Sequence, residues 1–395
     1  MKPQGGQRGC GRPNRERKPG KGTQGVMRAG LRRPRARAPG AAAPARLCTA
    51  PPPAAQWLAA AATHRGLGMS YDEACETVQA LPPALLAQFE ADLAAAGQQL
   101  VASTRELTVL DTEAPAPGTW LRSLHFNARL DYVQSCVLVR GGGGGDCPAD
   151  RVPDHSSAPP STGATATHLR RLLNAVGLQR LLLPAGDPDP TPLHIVVLGA
   201  GGCTVPAHLA TALRHPAAVE AVEISPAVVE AAREWFGISA IPDETLRVHT
   251  SCALEWMRCA EQPIDVLLID LESGASGASG EIRAPPPEVL APAFLSRIAA
   301  LVGRHKPGAV AVNTIASESG LGHVASVLGG FFAGGQAMVL HDSEETEEDT
   351  EWIHAVVLLG LGGVQVSGVP AEKLAVAMEE CGLASQTQSD LRPIL

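Results

Sequence analysis

The sequence predicts an α/β fold built on a mostly parallel sheet with helices on both faces, and three observations carry that expectation. From His194 onward, short apolar strand-like runs alternate with segments of helical period, the pattern of a parallel sheet covered on both sides. The first run, His194–Leu198, ends in the turn Gly199-Ala200-Gly201-Gly202, where the absence of Cβ atoms lets the chain bend tightly and approach a ligand. A second run ends in Val222-Glu223-Ile224, which puts an acid where a ribose would lie if the glycine turn held a nucleotide.

Met1 to about Thr63 is rich in Arg, Pro, Gly and Ala and shows no hydrophobic period. The expectation for 1–63 is a disordered basic tail, an organelle-targeting segment, or an upstream extension ahead of a start at Met27 or Met69. Residues 69–140 read as a helical segment and a small β subdomain. Pro82-Pro83 divides 71–98 into two helices, and Leu121–Phe126 and Tyr132–Val139 read as the strands of an N-terminal β-hairpin. The Gly141–Gly145 run opens a flexible linker at 141–165. Residues 166–365 form the main domain, entered through a helix over 169–183. Its strands are expected at 194–198, 219–224, 246–250, 264–270 and 308–314, and its helices at 204–214, 226–236, 252–260, 288–302 and 317–330. Two further strands, 336–341 and 352–359, are joined by the acidic run Asp342–Glu351. So short a link makes them an antiparallel hairpin. A helix and tail follow over 366–395.

Composition narrows the function classes. The first fifty residues hold thirteen Lys and Arg against one acid, Glu16, while the whole chain is −8, so the remainder carries −20. An acidic folded part argues against a nucleic-acid-binding core, which needs cations against phosphate, and suits a basic partner. The nine cysteines are odd in number and include no Cys-x-x-Cys pair, which fits reduced thiols better than a disulfide framework or a zinc site. No run is long and apolar enough for a membrane span.

The amides at the start of the 204–214 helix face the glycine turn, and Glu223 can accept both ribose hydroxyls, so the constellation points to a nucleoside-bearing cofactor. Asp270 ends the fourth strand, where open α/β sheets place ligands, and is the candidate catalytic residue. Asp265 begins that strand. His125, His168 and His249 read as structural histidines, and Trp235-Phe236 as core packing.

The turn Gly199-Ala200-Gly201-Gly202-Cys203-Thr204-Val205-Pro206, the pattern Ala221-Val222-Glu223-Ile224-Ser225-Pro226 with Trp235-Phe236-Gly237, and Val133-Gln134-Ser135 upstream together resemble the spermidine-synthase-like methyltransferases. Within that branch, the sequence resembles the C-terminal domain of the dual methyltransferases that modify a lysine and the N-terminus of elongation factor 1-alpha. The resemblance covers about residues 120–360. It implies a Rossmann-like class I methyltransferase with a mostly parallel seven-stranded sheet, S-adenosylmethionine (AdoMet) as cofactor, and a protein amine as substrate.

By the same resemblance the cofactor contacts are Gly199, Gly201, Gly202, Glu223, Ile224, Ser251, Cys252 and Asp270. Ser251 or Cys252 stands where the family carries an acid for the adenine amino group, and a thiol is a poor acceptor. That departure keeps an inactive methyltransferase-like scaffold as an alternative. Polyamine aminopropyl transfer is the other: only Glu272 follows Asp270 where polyamine synthases carry an acidic pair. The expected setting is cytoplasmic, or an organelle if the basic segment targets one. The partner is a protein substrate, possible homodimerisation aside, with no nucleic acid bound by the folded domain and no membrane. An α-amino group, with a pKa near ~7.8, is neutral in roughly a fifth of molecules at cytosolic pH, against about one in a thousand lysines, so an N-terminal acceptor needs little help from a base.

Overall fold

The N-terminal part begins with an Ala-rich helix that the sequence does not announce. In the computed structural model α1 (Pro53–His64) buries Ala54, Ala55, Ala59 and Ala60, and Trp57 stacks on Phe89 with ring centroids 4.9 Å apart. The expected tail over 1–63 is therefore corrected at its end: 53–63 is a packed helix, and Ala supplies helix propensity and close approach where no larger apolar period exists. The structure describes residues 53–64, 70–129, 132–141, 147–157, 164–183, 192–273, 281–332, 337–341, 352–362, 369–383 and 391–393, all within the compact unit Ala50–Leu395. The 1–52 part of the expected tail and the acidic link 342–351 lie outside the described residues.

Two short helices follow. α2 (Tyr71–Gln79) starts at a capping box in which Ser70 and Glu73 each bond the other's backbone, satisfying two otherwise orphaned amides. α3 (Pro83–Ala95) starts on the proline pair, as expected.

The β subdomain is larger than a hairpin. β1 (Gln98–Ser103), β2 (Leu107–Glu113), β3 (Thr119–Phe126), β4 (Val133–Arg140) and β5 (Val152–Asp154) form a five-stranded antiparallel meander in chain order. β5 comes from the segment expected to be a flexible linker, which is corrected over 147–157: Leu138 pairs with Asp154 and Arg140 with Val152. A buried charge cluster ties the meander together. Asp111 takes both Arg122, at 2.8 Å, and Arg151, at 2.8 Å, and Arg122 also donates to the Trp235 carbonyl.

The second half is the α/β sheet. Its elements run α4 (Ala164–Leu172), α5 (Asn174–Leu182), β6 (Leu193–Leu198), α6 (Thr204–Ala212), β7 (Ala217–Glu223), α7 (Pro226–Trp235), β8 (Leu246–Thr250), α8 (Ala253–Cys259), β9 (Val266–Ile269), β10 (Ile282–Ala284), α9 (Pro292–Leu301), β11 (Gly308–Ala316), α10 (Glu318–Phe331), β12 (Ala337–His341), β13 (Ile353–Leu361), α11 (Ala371–Glu380) and β14 (Leu391–Pro393). The sheet order is β14-β12-β13-β11-β9-β6-β7-β8, with β10 beside β11. β6, β7, β8, β9 and β11 pair in parallel, and β13 lies antiparallel between β11 and β12. Among the described residues the sheet has nine strands rather than seven, the additions being the three-residue β10 and β14.

Both faces are covered, which is why the central strands read as unbroken apolar runs. All nine residues of β11 are buried. Leu172, Val176 and Leu178 from α4 and α5, with Leu374 and Met378 from α11, close one face. Met257, Leu295, Ile298, Val324 and Leu328 from α8, α9 and α10 close the other. α7 lies between the sheet and the meander: Ala232 joins the core against the sheet, while Val228, with Phe236 just past the helix, packs on Leu124, Val137 and Val139. Burial of each such side chain is worth about 1.5–3 kcal/mol. Asp265 is structural: it accepts from the His194 amide at 2.8 Å and pairs with Lys306 at 3.3 Å.

Candidate active site

A cavity of about 440 Å³ opens at the carboxyl ends of β6, β7 and β9, where the strand order turns back on itself and open α/β sheets bind ligands. It is lined by Gly199, Gly201, Glu223, Ile224 and Asp270 from the sheet, and by Leu124, Tyr132 and Ser135 from the meander.

The glycine turn has geometry that only glycine fits. Gly199 and Gly201 have φ of 81° and 52°, left-handed values that are costly for other residues, and a Cβ on Gly199 would fall on the Asp270 carbonyl. The next residue but one, Cys203, shares the left-handed conformation at φ 59°. Burial pushes its thiol up to about 12, so it stays protonated and is no nucleophile.

Glu223 is buried at the end of β7 and holds the turn in place. Its Oε2 accepts from the Gly201 amide at 2.8 Å and its Oε1 from the Ser225 amide at 2.9 Å. The Ile224 amide bears on the carboxylate as well, and the acceptor capacity that the three amides leave is open to a ligand hydroxyl. Burial raises its pKa, and the backbone amides from Ser225 and Gly201 offset part of that rise. Ile224, beside it, is 68% exposed and offers an apolar edge to the cavity.

Asp270 follows β9, with its amide bonded to the Leu198 carbonyl at 2.8 Å. Its carboxylate is met by Asn313 Nδ2 on β11 and by His168 Nε2 on α4, at 2.7 and 3.4 Å. Across the opening, Tyr132 donates to Glu272 at 2.7 Å.

Three of the expected contacts stand outside the lining of the cavity. The Gly202 amide is given to Ser135 Oγ at 2.8 Å. Ser251 uses its amide on the Glu223 carbonyl at 2.9 Å, and Cys252 occupies the position before α8 without a side-chain cap bond. Reading the sequence named His168 only as a structural histidine and missed Asn313 and Tyr132. His168 and Asn313 lie 102 residues before and 43 residues after Asp270, so no local spacing links them to it. The one signal was the polar pair Asn313-Thr314 inside an apolar strand.

The strand order, the antiparallel β13 and the glycine turn define a Rossmann-like methyltransferase fold, one with a cavity at its switch point. No protein-family model matches the sequence. Over 136 residues, a third of its length (33%), the chain is 30% identical to the eEF1A lysine and N-terminal methyltransferase of Bos taurus. To that of Homo sapiens it is 27% identical over 136 residues. In both comparisons the match spans 18% of the relative's own length. Among solved structures, the chain is similar to human methyltransferase-like protein 13 in complex with SAH, at 22% identity and TM-score 0.43, covering 56% of this chain and 95% of that one. It is also similar to spermidine synthase from Thermotoga maritima, at 12% identity and TM-score 0.43, covering 73% and 80%.

Proposed function

We propose that the chain is an AdoMet-dependent methyltransferase acting on a protein amine, with elongation factor 1-alpha as the candidate substrate. The observation that carries this reading is the convergence of the glycine turn, Glu223 and Asp270 on one cavity at the carboxyl ends of β6, β7 and β9. Its volume suits a nucleoside-bearing ligand. The residues present fit the cofactor: Gly201 leaves a cradle that a Cβ would fill against Ser135 Oγ, and the buried Glu223 keeps acceptor capacity for the ribose hydroxyls. The curated relatives carry the lysine and N-terminal activity in their names, which is why an amine of that translation factor is the substrate proposed.

AdoMet supplies a methyl group made electrophilic by its sulfonium. The chain's contribution is placement, which can be worth about 7–11 kcal/mol in a well-oriented site. Glu223 would hold the nucleoside, the Gly199–Gly201 backbone would border the amino-acid end, and Asp270 would accept from that end's ammonium group. Asn313 and His168 hold the Asp270 carboxylate in orientation. Glu272 and Tyr132 border the route of the acceptor amine, and their hydrogen bond ties up the acid that a polyamine would need.

Calorimetry with AdoMet and decarboxylated AdoMet tests the reading together with label transfer from AdoMet to purified elongation factor 1-alpha. Preferred binding of AdoMet and labelling of the factor support it. Preference for the decarboxylated form transfers the site to polyamine synthesis, and no binding of either leaves a scaffold.

A further inference from the structure

His168 lines the same cavity as Asp270 although only 4% of it is exposed. Its Nε2 stands 3.4 Å from Asp270 Oδ2, while its Nδ1 is buried and has no hydrogen-bond partner among the described residues. Four other charged or titratable groups bear on this pair: Glu272 beyond Asp270, Arg171 on the same helix, His354 on β13, and Glu223 across the cavity. Burial works against charge on the His168 ring, but Asp270 and Glu272 outweigh both burial and Arg171, so its pKa is raised. Burial, His168, Arg171 and Arg283 push His354 down to about 4, which leaves it neutral near pH 6.5.

One carboxylate thus serves a buried imidazole and, on the reading above, a ligand ammonium as well. Two cations on one carboxylate in a poorly solvated site repel strongly. The imidazole is the weaker holder of its proton, since an aliphatic ammonium ion stays charged at pH 6.5. Among the described residues the ring's Nδ1 has no acceptor, which works against the charged form, so the charge rests on the two carboxylates, Asp270 and Glu272.

We propose that the His168 imidazolium is the resident counter-cation of Asp270, and that the ammonium group of the cofactor's amino-acid end replaces it, expelling one proton from the ring to solvent. Asp270 keeps its charge throughout, the ligand enters with its ammonium intact, and no other bond changes. His168 is then a positioning residue that makes the site responsive to the cationic end of the ligand. This inference rests on the AdoMet reading.

The test is proton counting by calorimetry at pH 6.5, in two buffers of different ionisation enthalpy, with S-adenosylhomocysteine and with methylthioadenosine. Both carry the nucleoside and so engage Glu223 alike, but only the first carries an ammonium group. S-adenosylhomocysteine is expected to release more protons than methylthioadenosine, the excess being at most the one proton of the His168 ring. In His168→Gln, S-adenosylhomocysteine still binds and the excess disappears. An excess that survives in His168→Gln overturns the proposal, as does binding of S-adenosylhomocysteine to the unaltered protein with no excess. If the variant does not fold, the comparison of the two ligands on the unaltered protein decides alone. Binding of neither ligand removes the cofactor reading, and this inference with it.

Discussion

Asn313 Nδ2, on the fifth parallel strand of the sheet, donates to Asp270 Oδ1 at 2.7 Å, so the acid at the end of β9 is oriented by its neighbour strand rather than by its own loop. The Asn313 side chain is fully buried, and its rotamer is fixed by the packed sheet around it. Such an orientation is what a site acting by placement requires.

Asp270→Asn is expected to keep the shape and lose the charge, slowing methyl transfer by about 30- to 1000-fold, or ~2–4 kcal/mol. Glu272→Gln is expected to cost less, because its carboxylate is occupied by Tyr132. Single-turnover labelling compares the two variants. A fully active Asp270→Asn enzyme would place the chemistry elsewhere.

Glu223→Ala removes the ribose acceptor and also frees the Gly201 and Ser225 amides. Affinity for S-adenosylhomocysteine is expected to fall at least about tenfold, each charged hydrogen bond being worth ~1.5–3 kcal/mol. Only the ionised carboxylate accepts from both hydroxyls, and burial raises its pKa above the ordinary 4.5. Affinity should therefore decline on the acid side at a higher pH than an exposed glutamate would give. Titration calorimetry across the acid range reads both effects, and undiminished binding by a folded Glu223→Ala protein would sink the assignment.

Asp111→Ala leaves Arg122 and Arg151 buried without their carboxylate. Breaking a buried charge cluster in this way costs about 3–5 kcal/mol, so chemical denaturation should show a large drop in stability. A change below about 1 kcal/mol would mean that the arginines find other partners.

Glu220 links two histidines, with His194 at 3.1 Å and His249 at 2.7 Å. The hydrogen bond from His194 lowers the Glu220 pKa, despite burial. Burial lowers the His194 pKa, but Glu220 and the Pro263 carbonyl outweigh it, for a net rise. Glu220 therefore contributes stability that is present above its unfolded pKa and lost as pH falls through its depressed folded value. His194 contributes stability that is complete below its unfolded pKa and lost as pH rises through its raised folded value. The pair acts fully between those limits, roughly pH 4.5 to 6.5, and Glu220→Gln should remove about 1 kcal/mol there. Urea melts at pH 5, 7 and 9 test this: an equal loss at all three would contradict it.

Strong local signals made part of this legible in the sequence. The turn at Gly199–Gly202, the acid at Glu223 and the acid at Asp270 sit at the ends of apolar runs and could be read one element at a time. α1 escaped notice because its buried face is alanine, which leaves no hydrophobic period. β1 and β2 are rich in polar residues such as Gln99, Thr108 and Asp111, whose polar groups are met by Arg151, Asn127 and Arg122. β5 is three residues long and follows a glycine run, so composition pointed to a linker. His168 shows the general difficulty: its importance comes from a neighbour a hundred residues away, and only the fold creates that neighbourhood.

Ser135, on β4, accepts from the Gly202 amide at 2.8 Å, so an outer wall of the cavity comes from the meander and the floor from the α/β sheet. The cavity is consequently a seam between two independently patterned layers. Substitutions along β3 and β4 can reshape that wall while the side formed at the ends of β6 and β7 stays as it is. The two sides of one cavity are thus free to change separately.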